Sequence, residues 1–324
     1  MAQAIETAKN EAEEAHAGWV ITLIGRDEVE SVFNPVLEVI KEQGLELDRI
    51  DLLSGAQVPS LKRGDGYACA AVHAYARVVD GEQLRAELRK LADELDRDIV
   101  LQSEREWKQP KKMFFFDMDS TLIQGETIDE LAKMAGAGDQ VKAITAAAMR
   151  GELQFPQSFR KRVALLKGLP ETRVLEVLER IPLMEGAERL FRNLKRLGIR
   201  TAVLSGGFTF FGTHLQQRLG VDFLHANVLD IADGIVTGQV PTRIVDGQYK
   251  AKLLTEIAAR EGVPLEQAVA VGDGANDLPM LKLAGLGVAF HAKPLVRLEA
   301  SAAMSHVGLD GLLYLLGIPD WEWE

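Results

Sequence analysis

The sequence is poor in residues that cross-link a chain, and it has no long apolar run. Cys69 is its single cysteine, which excludes an internal disulfide bond and any metal site built from several cysteines. The longest apolar stretches, such as Met113–Phe116, are far shorter than the roughly 18 residues that a membrane-spanning helix needs. Residues 1–16 are polar and acidic and lack the basic start and apolar centre of a secretory signal. We therefore expect a cytoplasmic protein without a membrane partner.

Positive charge is also scarce. The chain has 37 lysine and arginine residues against 48 aspartate and glutamate residues, a formal net charge of −11. This balance disfavours non-specific nucleic-acid binding, which needs a basic face, but a local positive pocket could still take a small anionic substrate. The hydrophobic content of 47% and the charged content of 26% are typical of a globular protein. The length of 324 residues predicts two domains, or one large domain with an appendage.

The first part of the chain alternates strands and helices in the order β-α-β-β-α-β, which is the ferredoxin-like arrangement. The spacing of apolar residues distinguishes its helices from its strands. This domain is predicted over 17–104, after an N-terminal tail at 1–16, and a polar segment with a proline predicts a linker over 105–112. The predicted strands are 18–25, 45–53, 67–79 and 98–104, and the predicted helices are 31–44 and 82–95.

The second part, 113–324, is predicted to be an α/β domain. Short apolar strands alternate with helices, which indicates a parallel sheet covered on both faces. Between 127 and 181 the chain has a helical pattern without a strand, so we expect a helical insertion over the strand ends at about 124–183. The predicted strands are 113–116, 201–205, 268–272 and 286–290.

Two aspartates follow the first of these strands. Asp117 and Asp119 stand in DMDST, directly after Phe116. Extended residues at i and i+2 project to the same side, and ligands of parallel α/β sheets bind at the carboxyl ends of the strands. Two carboxylates on one side repel each other unless a cation or a shared proton compensates. The pair therefore indicates a cation site, with a turn or a helix cap as the structural alternative.

Candidate phosphate ligands follow further along the chain. Ser205, Gly206 and Gly207 come after a predicted strand, and a hydroxyl with bare backbone N–H groups at a helix start can hold a phosphate. The same three residues would also suit a plain tight turn. Lys250 lies near the start of a predicted helix, where it is either a phosphate ligand or a solvated surface lysine.

A second acidic pair stands in GDGAND. Asp273 and Asp277 follow a strand and would share one face if the chain turns helical there, although a cap and turn would also explain them. Asp277 occupies the place of the third glycine of a dinucleotide-binding loop, so the segment does not match that motif. Taken together, four acids at the strand ends of one sheet can hold a hard, oxygen-seeking cation such as Mg²⁺, beside groups that can hold a phosphate.

These motifs together resemble the haloacid-dehalogenase (HAD) superfamily of aspartate-nucleophile phosphohydrolases, in which a helical cap is inserted into a Rossmann-like core. A closer similarity, to the phosphoserine phosphatase family, runs from about residue 113 to the end of the chain and includes the insertion. The segments that carry it are FDMDSTLIQGETIDELA, MRGELQFPQSFRKRVALLKGL, VLSGGF and VAVGDGANDLPMLKLAGLGVAFHAKP. The resemblance implies Mg²⁺-dependent hydrolysis of O-phospho-L-serine to L-serine and phosphate, the last step of L-serine biosynthesis.

The resemblance also implies roles for the acids. Asp117 would be the nucleophile that forms an aspartyl-phosphate, and Asp119 would be the general acid for the serine leaving group and then the base for water. The carboxylates of Asp117 and Asp273 and the backbone carbonyl of Asp119 would bind Mg²⁺. Asp277 would support the water shell of the metal or the loop around it.

The remaining core motifs are implied to bind the phosphoryl group. Ser205, Gly206 and Lys250 would neutralise its charge, and Asn276 would donate a further hydrogen bond. Charge on the three phosphoryl oxygens is the main feature of the transition state that needs stabilisation, so the metal and the lysine should contribute most.

The cap is implied to select the substrate. Glu126 would meet an ammonium group and Arg162 would hold a carboxylate with two parallel bonds, so that together they describe an α-amino acid. Met149 and Phe155 would form an apolar lid that excludes water. The residue types alone leave open a solvated helix face at 160–162 and a plain core position for Phe155.

The N-terminal domain resembles an ACT-type regulatory domain in the segment LIGRDEVESVF. Glu30 and Ser31 stand where a glycine is usual before the helix, so an amino-acid effector site, a homodimer contact and a packing role against the cap all stay open for this domain. His73 is expected to be a sheet-surface side chain. Two other functions also stay open: the same chemistry on phosphothreonine or phosphohomoserine, and a regulatory amino-acid-binding protein with an inactive phosphatase domain.

Overall fold

The computed structural model describes residues 17–26, 30–55, 67–76 and 80–324. The chain divides into two compact units: Met1–Pro110 together with Ala302–Glu324, and Lys111–Ser301. The predicted tail at 1–16 lies outside the described residues. None of the helices in the described stretches has the length and apolar character that crossing a lipid bilayer requires.

The first unit has the predicted βαββαβ order. Its elements are β1 (Ala17–Gly25), α1 (Glu30–Glu42), β2 (Glu46–Leu52), β3 (Ala68–Ala76), α2 (Gly81–Leu95) and β4 (Asp98–Ser103). The strands form one antiparallel sheet in the order β2-β3-β1-β4, which confirms the ferredoxin-like arrangement. Apolar residues of both helices, such as Ile40 and Leu88, form one buried cluster with Ile21 and Val72 of the sheet. Residues 77–79, the end of the third predicted strand, lie outside the described residues.

The predicted linker begins with a helix, α3 (Glu104–Lys108). A capping box starts it: the N–H of Glu106 donates to Ser103 Oγ at 3.2 Å, and the N–H of Ser103 donates to the carboxylate of Glu106 at 2.9 Å. Trp107 of this helix packs edge to face on His73, with ring centroids 5.1 Å apart. The expectation of a sheet-surface histidine is therefore wrong, because the His73 side chain is covered and 3% exposed.

The second unit is built on a parallel sheet. Its strands are β5 (Met113–Phe116), β6 (Arg200–Phe208), β7 (Phe223–Asn227), β8 (Ile231–Ala232), β9 (Ile235–Val236), β10 (Ala268–Gly272) and β11 (Leu286–Phe290). Five of them pair in parallel in the order β11-β10-β5-β6-β7. The strands β5 and β10 are buried throughout, which explains their continuous apolar sequences. The half-exposed strand β7 has no such run, and the sequence did not predict it.

Helices cover this sheet and form the predicted insertion. They are α4 (Thr127–Met134), α5 (Gly138–Met149), α6 (Phe155–Ala164), α7 (Glu171–Arg180), α8 (Ala187–Arg196), α9 (Thr209–Leu219), α10 (Gly247–Arg260), α11 (Leu278–Leu281) and α12 (Pro294–Glu299). The helices α4 to α7 form the cap. The hairpin β8–β9 pairs with the loop between α6 and α7: the N–H of Gly168 donates to the carbonyl of Val236, and the N–H of Val236 donates to that of Leu169, both at 2.9 Å.

The C-terminal segment packs with the first unit, whereas the sequence assigned it to a second domain at 113–324. It contains β12 (Ala302–Met304) and a 3₁₀ helix over Leu309–Leu316, most of which is buried. Its backbone is held by acids and a tyrosine of the first unit. The N–H of Gly308 donates to the hydroxyl of Tyr67 at 3.0 Å, and this hydroxyl donates to Asp310 of the segment at 3.1 Å. A local apolar pattern does not reveal which of two cores a segment joins. The predicted second domain therefore ends at residue 324, whereas the second unit ends at Ser301.

Replacing Asp98 tests this attachment. Its carboxylate is buried and accepts the N–H groups of Ser305 at 2.6 Å and His306 at 3.0 Å. Asp98→Ala should lower the free energy of unfolding by about 1–3 kcal/mol, because two donors lose their acceptor. Denaturant titration measures this, with Glu87→Ala on the exposed face of α2 as the control. Equal stability of the two variants would contradict the assignment of the segment.

Candidate active site

A fully buried lysine lies at the centre of the site. The Lys250 ammonium is 2.7 Å from a carboxylate oxygen of Asp117 and 2.7 Å from one of Asp277, and its side chain is 0% exposed. Asp246 caps the helix that carries it, since its carboxylate accepts the N–H of Tyr249 at 2.9 Å. Burial lowers the pKa of Lys250, but the two carboxylates outweigh this and hold it above its usual value. The interpretation of Lys250 as a surface lysine is therefore wrong.

Three carboxylates surround this ammonium at the strand ends. Oxygens of Asp117, Asp273 and Asp277 lie within 4.8 Å of one another, and this is the one group in the described part of the chain that could hold a metal ion. Burial, followed by the charge of Asp277, raises the pKa of Asp117 well above its usual value and the pKa of Asp273 to about 7. Such crowding of acids is relieved by a cation, and all the donors are the oxygen ligands that hard divalent cations prefer.

The GDGAND loop is folded around Asp277. One carboxylate oxygen accepts the N–H of Gly274 at 3.0 Å, and the other accepts from the side-chain amide of Asn276 at 3.3 Å as well as from Lys250. A Cβ added to Gly272 would lie 2.6 Å from the carboxylate carbon of Asp277. The first glycine therefore lets the carboxylate pack directly on the end of β10.

Asp119 occupies a separate buried position. Its Oδ1 accepts the N–H of Thr127, the first residue of α4, at 2.9 Å. Burial, followed by the nearby charge of Glu126, raises the pKa of Asp119 to about 7, while the bond from Thr127 and the charge of Lys250 oppose the rise. A carboxyl group with such a pKa can both donate and accept a proton at neutral pH.

Ser205, Gly206 and Gly207 lie within the last residues of the strand β6, so the interpretation of these residues as a plain tight turn is wrong. The buried Ser205 hydroxyl accepts the N–H of Gly207 at 2.8 Å. Asn227, fully buried at the end of β7, donates to the carbonyl of Gly206 and accepts the N–H of Val245, both at 2.8 Å. Sequence reasoning missed Asn227 because it missed β7, a half-exposed strand that no apolar run marks.

Arg162 differs from its charged neighbours in sequence by being buried. Arg160 and Lys161 are exposed, whereas Arg162 is buried, so a solvated helix face describes only the first two. Its Nε has no hydrogen-bond partner in the described residues. Burial lowers the pKa of Arg162, and attraction to acids, first of all Glu126, opposes this. A buried guanidinium with an open donor is suited to an anionic ligand.

The cap approaches the core through an aromatic contact. A Cβ added to Gly206 would lie 3.0 Å from the Cζ atom of Phe155. The rings of Phe159 and Phe208 are 5.6 Å apart. Phe155 thus covers Gly206 near the end of β6, whereas the side chain of Met149 lies outside the described residues.

The candidate residues converge on the carboxyl edge of the sheet, apart from Met149, whose side chain is not described. Glu126 is exposed, accepts the Ser120 hydroxyl at 3.1 Å, and acts electrostatically on Asp119, Asp273 and Arg162. One acid, Glu126, and one base, Arg162, thus lie on the cap side of the carboxylates, Lys250 and the end of β6. A site that can bind an anion, around Lys250, therefore lies beside one negative side chain, Glu126, and one positive side chain, Arg162.

Comparison with known proteins gives the class. Residues 114–282 match the family model of haloacid dehalogenase-like hydrolases, and the chain belongs to this family. The predicted family and the α/β fold are thereby confirmed, and the match describes a hydrolase.

Its relatives are more specific. The chain is 43% identical to phosphoserine phosphatase SerB2 of Mycobacterium tuberculosis over 94% of this chain and 72% of that protein. It is 45% identical to the phosphoserine phosphatase of Streptomyces coelicolor, with the same two coverages. The structure of a probable phosphoserine phosphatase from Vibrio cholerae matches with a TM-score of 0.70 and 33% identity over 94% of this chain and 88% of that one. A substrate-bound phosphoserine phosphatase complex matches with a TM-score of 0.60 and 45% identity, over 63% and 97%.

The buried ion pairs predict a large effect of Lys250→Met. Removal of the ammonium leaves two buried carboxylates without their partner, so the free energy of unfolding should fall by about 3–5 kcal/mol in chelator-treated protein. Lys252→Met, on the exposed face of the same helix with a 3.4 Å pair to Glu256, should cost less than about 1 kcal/mol. Denaturant titration compares the two, and a small loss for Lys250→Met would argue against the buried pairs.

Proposed function

We propose that the protein is a phosphoserine phosphatase that hydrolyses O-phospho-L-serine to L-serine and phosphate, the last step of L-serine biosynthesis. The observation that carries the proposal is the proximity of Glu126 and the buried Arg162 to the acid and lysine cluster. One carboxylate and one guanidinium match the ammonium and carboxylate of an amino acid, and the cluster beside them suits its phosphate. The names of relatives 43% and 45% identical over 94% of the chain support the same substrate.

The reaction proceeds in two steps. An oxygen of Asp117 attacks phosphorus, the bond from phosphorus to the serine oxygen breaks, and Asp119 donates its proton to that oxygen. Water then attacks phosphorus, Asp119 takes up a proton from it, and the bond to Asp117 breaks to release phosphate. The pKa of about 7 for Asp119 suits both proton transfers.

The chain's own groups hold the phosphoryl charge. The Ser205 hydroxyl, the backbone N–H of Gly206, the Lys250 ammonium and the Asn276 amide stabilise the phosphoryl oxygens. The Lys250 ammonium already lies 2.7 Å from Asp117, the attacking residue, so it can follow charge as it moves onto phosphorus.

Mg²⁺ is the cofactor that the carboxylate cluster fits. Asp117, Asp273 and the backbone carbonyl of Asp119 would hold it, and when bound it supplies positive charge that offsets the carboxylates and the phosphate. Both oxygens of Asp277 already accept hydrogen bonds within the protein, which suits Asp277 for supporting the loop.

The cap selects and encloses the substrate. Glu126 receives the ammonium, Arg162 receives the carboxylate, and Phe155 with Met149 excludes water from the phosphoryl group. We assign the first unit a regulatory role as an ACT-like domain. Binding of an amino-acid effector and formation of a homodimer contact are its two candidate functions. We expect the enzyme to be cytoplasmic.

Phosphate release from a panel of phosphomonoesters tests the function. With Mg²⁺ we expect O-phospho-L-serine to react fastest and phosphothreonine about 10- to 200-fold more slowly, because its extra methyl group must fit the same pocket. Chelation should stop release, and Asp117→Asn should reduce turnover to background and abolish the labelled phosphoenzyme. Asp139→Asn, at an exposed cap position, should behave as the unmodified protein. Labelled phosphoenzyme in Asp117→Asn would reject the nucleophile, and no turnover of any ester with Mg²⁺ would favour an inactive regulatory protein.

Replacing Glu126 tests amino-acid recognition. Glu126→Gln removes one charge from the ammonium site, so KM for O-phospho-L-serine should rise about 10- to 100-fold, as expected for a hydrogen bond to a charged group. The KM for the phosphate ester of 3-hydroxypropionate, which lacks the amine, should stay nearly constant. Steady-state kinetics on both esters measures the difference. If both KM values rise equally, Glu126 does not bind the ammonium.

A further inference from the structure

One carboxylate oxygen of Asp119, the proposed general acid, already accepts a hydrogen bond from the backbone. Oδ1 of Asp119 accepts the N–H of Thr127 at 2.9 Å, and Thr127 is fully buried at the start of α4. The proton that the reaction moves must therefore travel through the other oxygen, Oδ2. The surroundings of Oδ2 decide where that proton is delivered.

Oδ2 lies against a glycine at the end of β6. A Cβ added to Gly207 would lie 2.3 Å from Oδ2, 2.7 Å from the terminal methyl carbon of Met118 and 3.1 Å from Ser205 Oγ. A real Cβ atom does not approach other heavy atoms to less than 3 Å, so the carboxylate of Asp119 and the side chain of Met118 would both have to move. Met118 is fully buried and Asp119 is held by Thr127, which leaves little room for either to yield.

Backbone conformation does not explain the glycine. Gly207 is absent from the residues with a positive φ, so its backbone is open to any amino acid. Its N–H donates to Ser205 Oγ at 2.8 Å, and the next residue, Phe208, pairs with Asn227 of β7 after a shift of register that follows Leu204. The backbone at Gly207 is thus fixed from both sides, and a side chain there could only displace its neighbours.

We propose that Gly207 is a positioning residue for the acid and base Asp119: its missing side chain provides the space in which Oδ2 reaches the ester oxygen. The inference rests on the proposed function, because it assumes that Asp119 exchanges protons with the leaving group and with water. Gly207→Ala should rotate the carboxylate away, so the bond from phosphorus to the serine oxygen would have to break without a proton.

A double-mutant cycle tests this on O-phospho-L-serine. Gly207→Ala alone should slow the single-turnover release of serine by about 10²–10⁴-fold, the range for loss of general acid catalysis. Asp119→Asn should slow it by a similar factor, and Gly207→Ala should add almost nothing in the Asp119→Asn background, because both changes remove the same proton transfer. If the two factors multiply, Gly207 acts through another group such as Ser205, and the proposal is wrong.

A second substrate gives a readout that a structural defect would not move. S-phospho-L-cysteine keeps the amino-acid group but leaves as a thiolate, whose conjugate acid has a pKa of about 8.5 and needs no proton. Gly207→Ala should therefore release a stoichiometric burst of thiol from this ester and then stall, because hydrolysis of the aspartyl-phosphate still needs the base. A loss of the burst equal to the loss with the serine ester would overturn the proposal.

Gly212→Ala is the matched control. A Cβ added to Gly212 would lie 2.5 Å from a methyl carbon of Leu224, so it creates a comparable clash in the same unit, away from Asp119. It should lower thermal stability as Gly207→Ala does, without changing the ratio of rates on the two esters. A shift of that ratio in Gly212→Ala would also overturn the proposal. Failure of the unmodified protein to hydrolyse either ester would instead reject the proposed function.

Discussion

The site depends on one buried ammonium between two carboxylates. Lys250 comes from α10, Asp117 from the end of β5, and Asp277 from the loop after β10, so the pairs form only when the parallel sheet is complete. Each charge alone would be costly to bury, and the three are tolerable together because each has an opposite partner at 2.7 Å. The same contacts therefore stabilise the fold and fix the position of the Asp117 carboxylate, the proposed nucleophile.

The charges of this cluster do not balance. Three carboxylates face one lysine, and the pKa of Asp273 rises to about 7 under burial and repulsion. A phosphate ester is itself an anion, so its approach adds repulsion to a region that already has too much negative charge. A divalent cation bound by the carboxylates would offset both the repulsion among them and the charge of the phosphate ester.

Sequence reasoning located most of the site because its residues follow strong local signals. The uninterrupted apolar run of β5 predicts a strand end, and Asp117 and Asp119 come next. The signals failed where structure depends on distant contacts. Asn227 ends a half-exposed strand that no apolar run marks. The apolar residues of Leu309–Leu316 belong to the first unit, and a local pattern does not reveal which core they join. The capping box of Ser103 and Glu106 is present in the sequence, but the prediction of a linker rests on the proline and polar residues of the segment and makes no use of it.

The residue proposed to bind the substrate ammonium and the residue that holds Asp119 are consecutive in the chain. Glu126 lies where it acts on Arg162 and on the acids of the core, while the backbone N–H of Thr127 holds Asp119. On the proposed function, a substrate ammonium bound by the Glu126 carboxylate would act on the same turn of α4 that holds Asp119. An ester without an amino group would lack this contact and would leave the start of the helix less constrained. In the proposed enzyme, binding energy from a part of the substrate that does not react would thus orient the group that does.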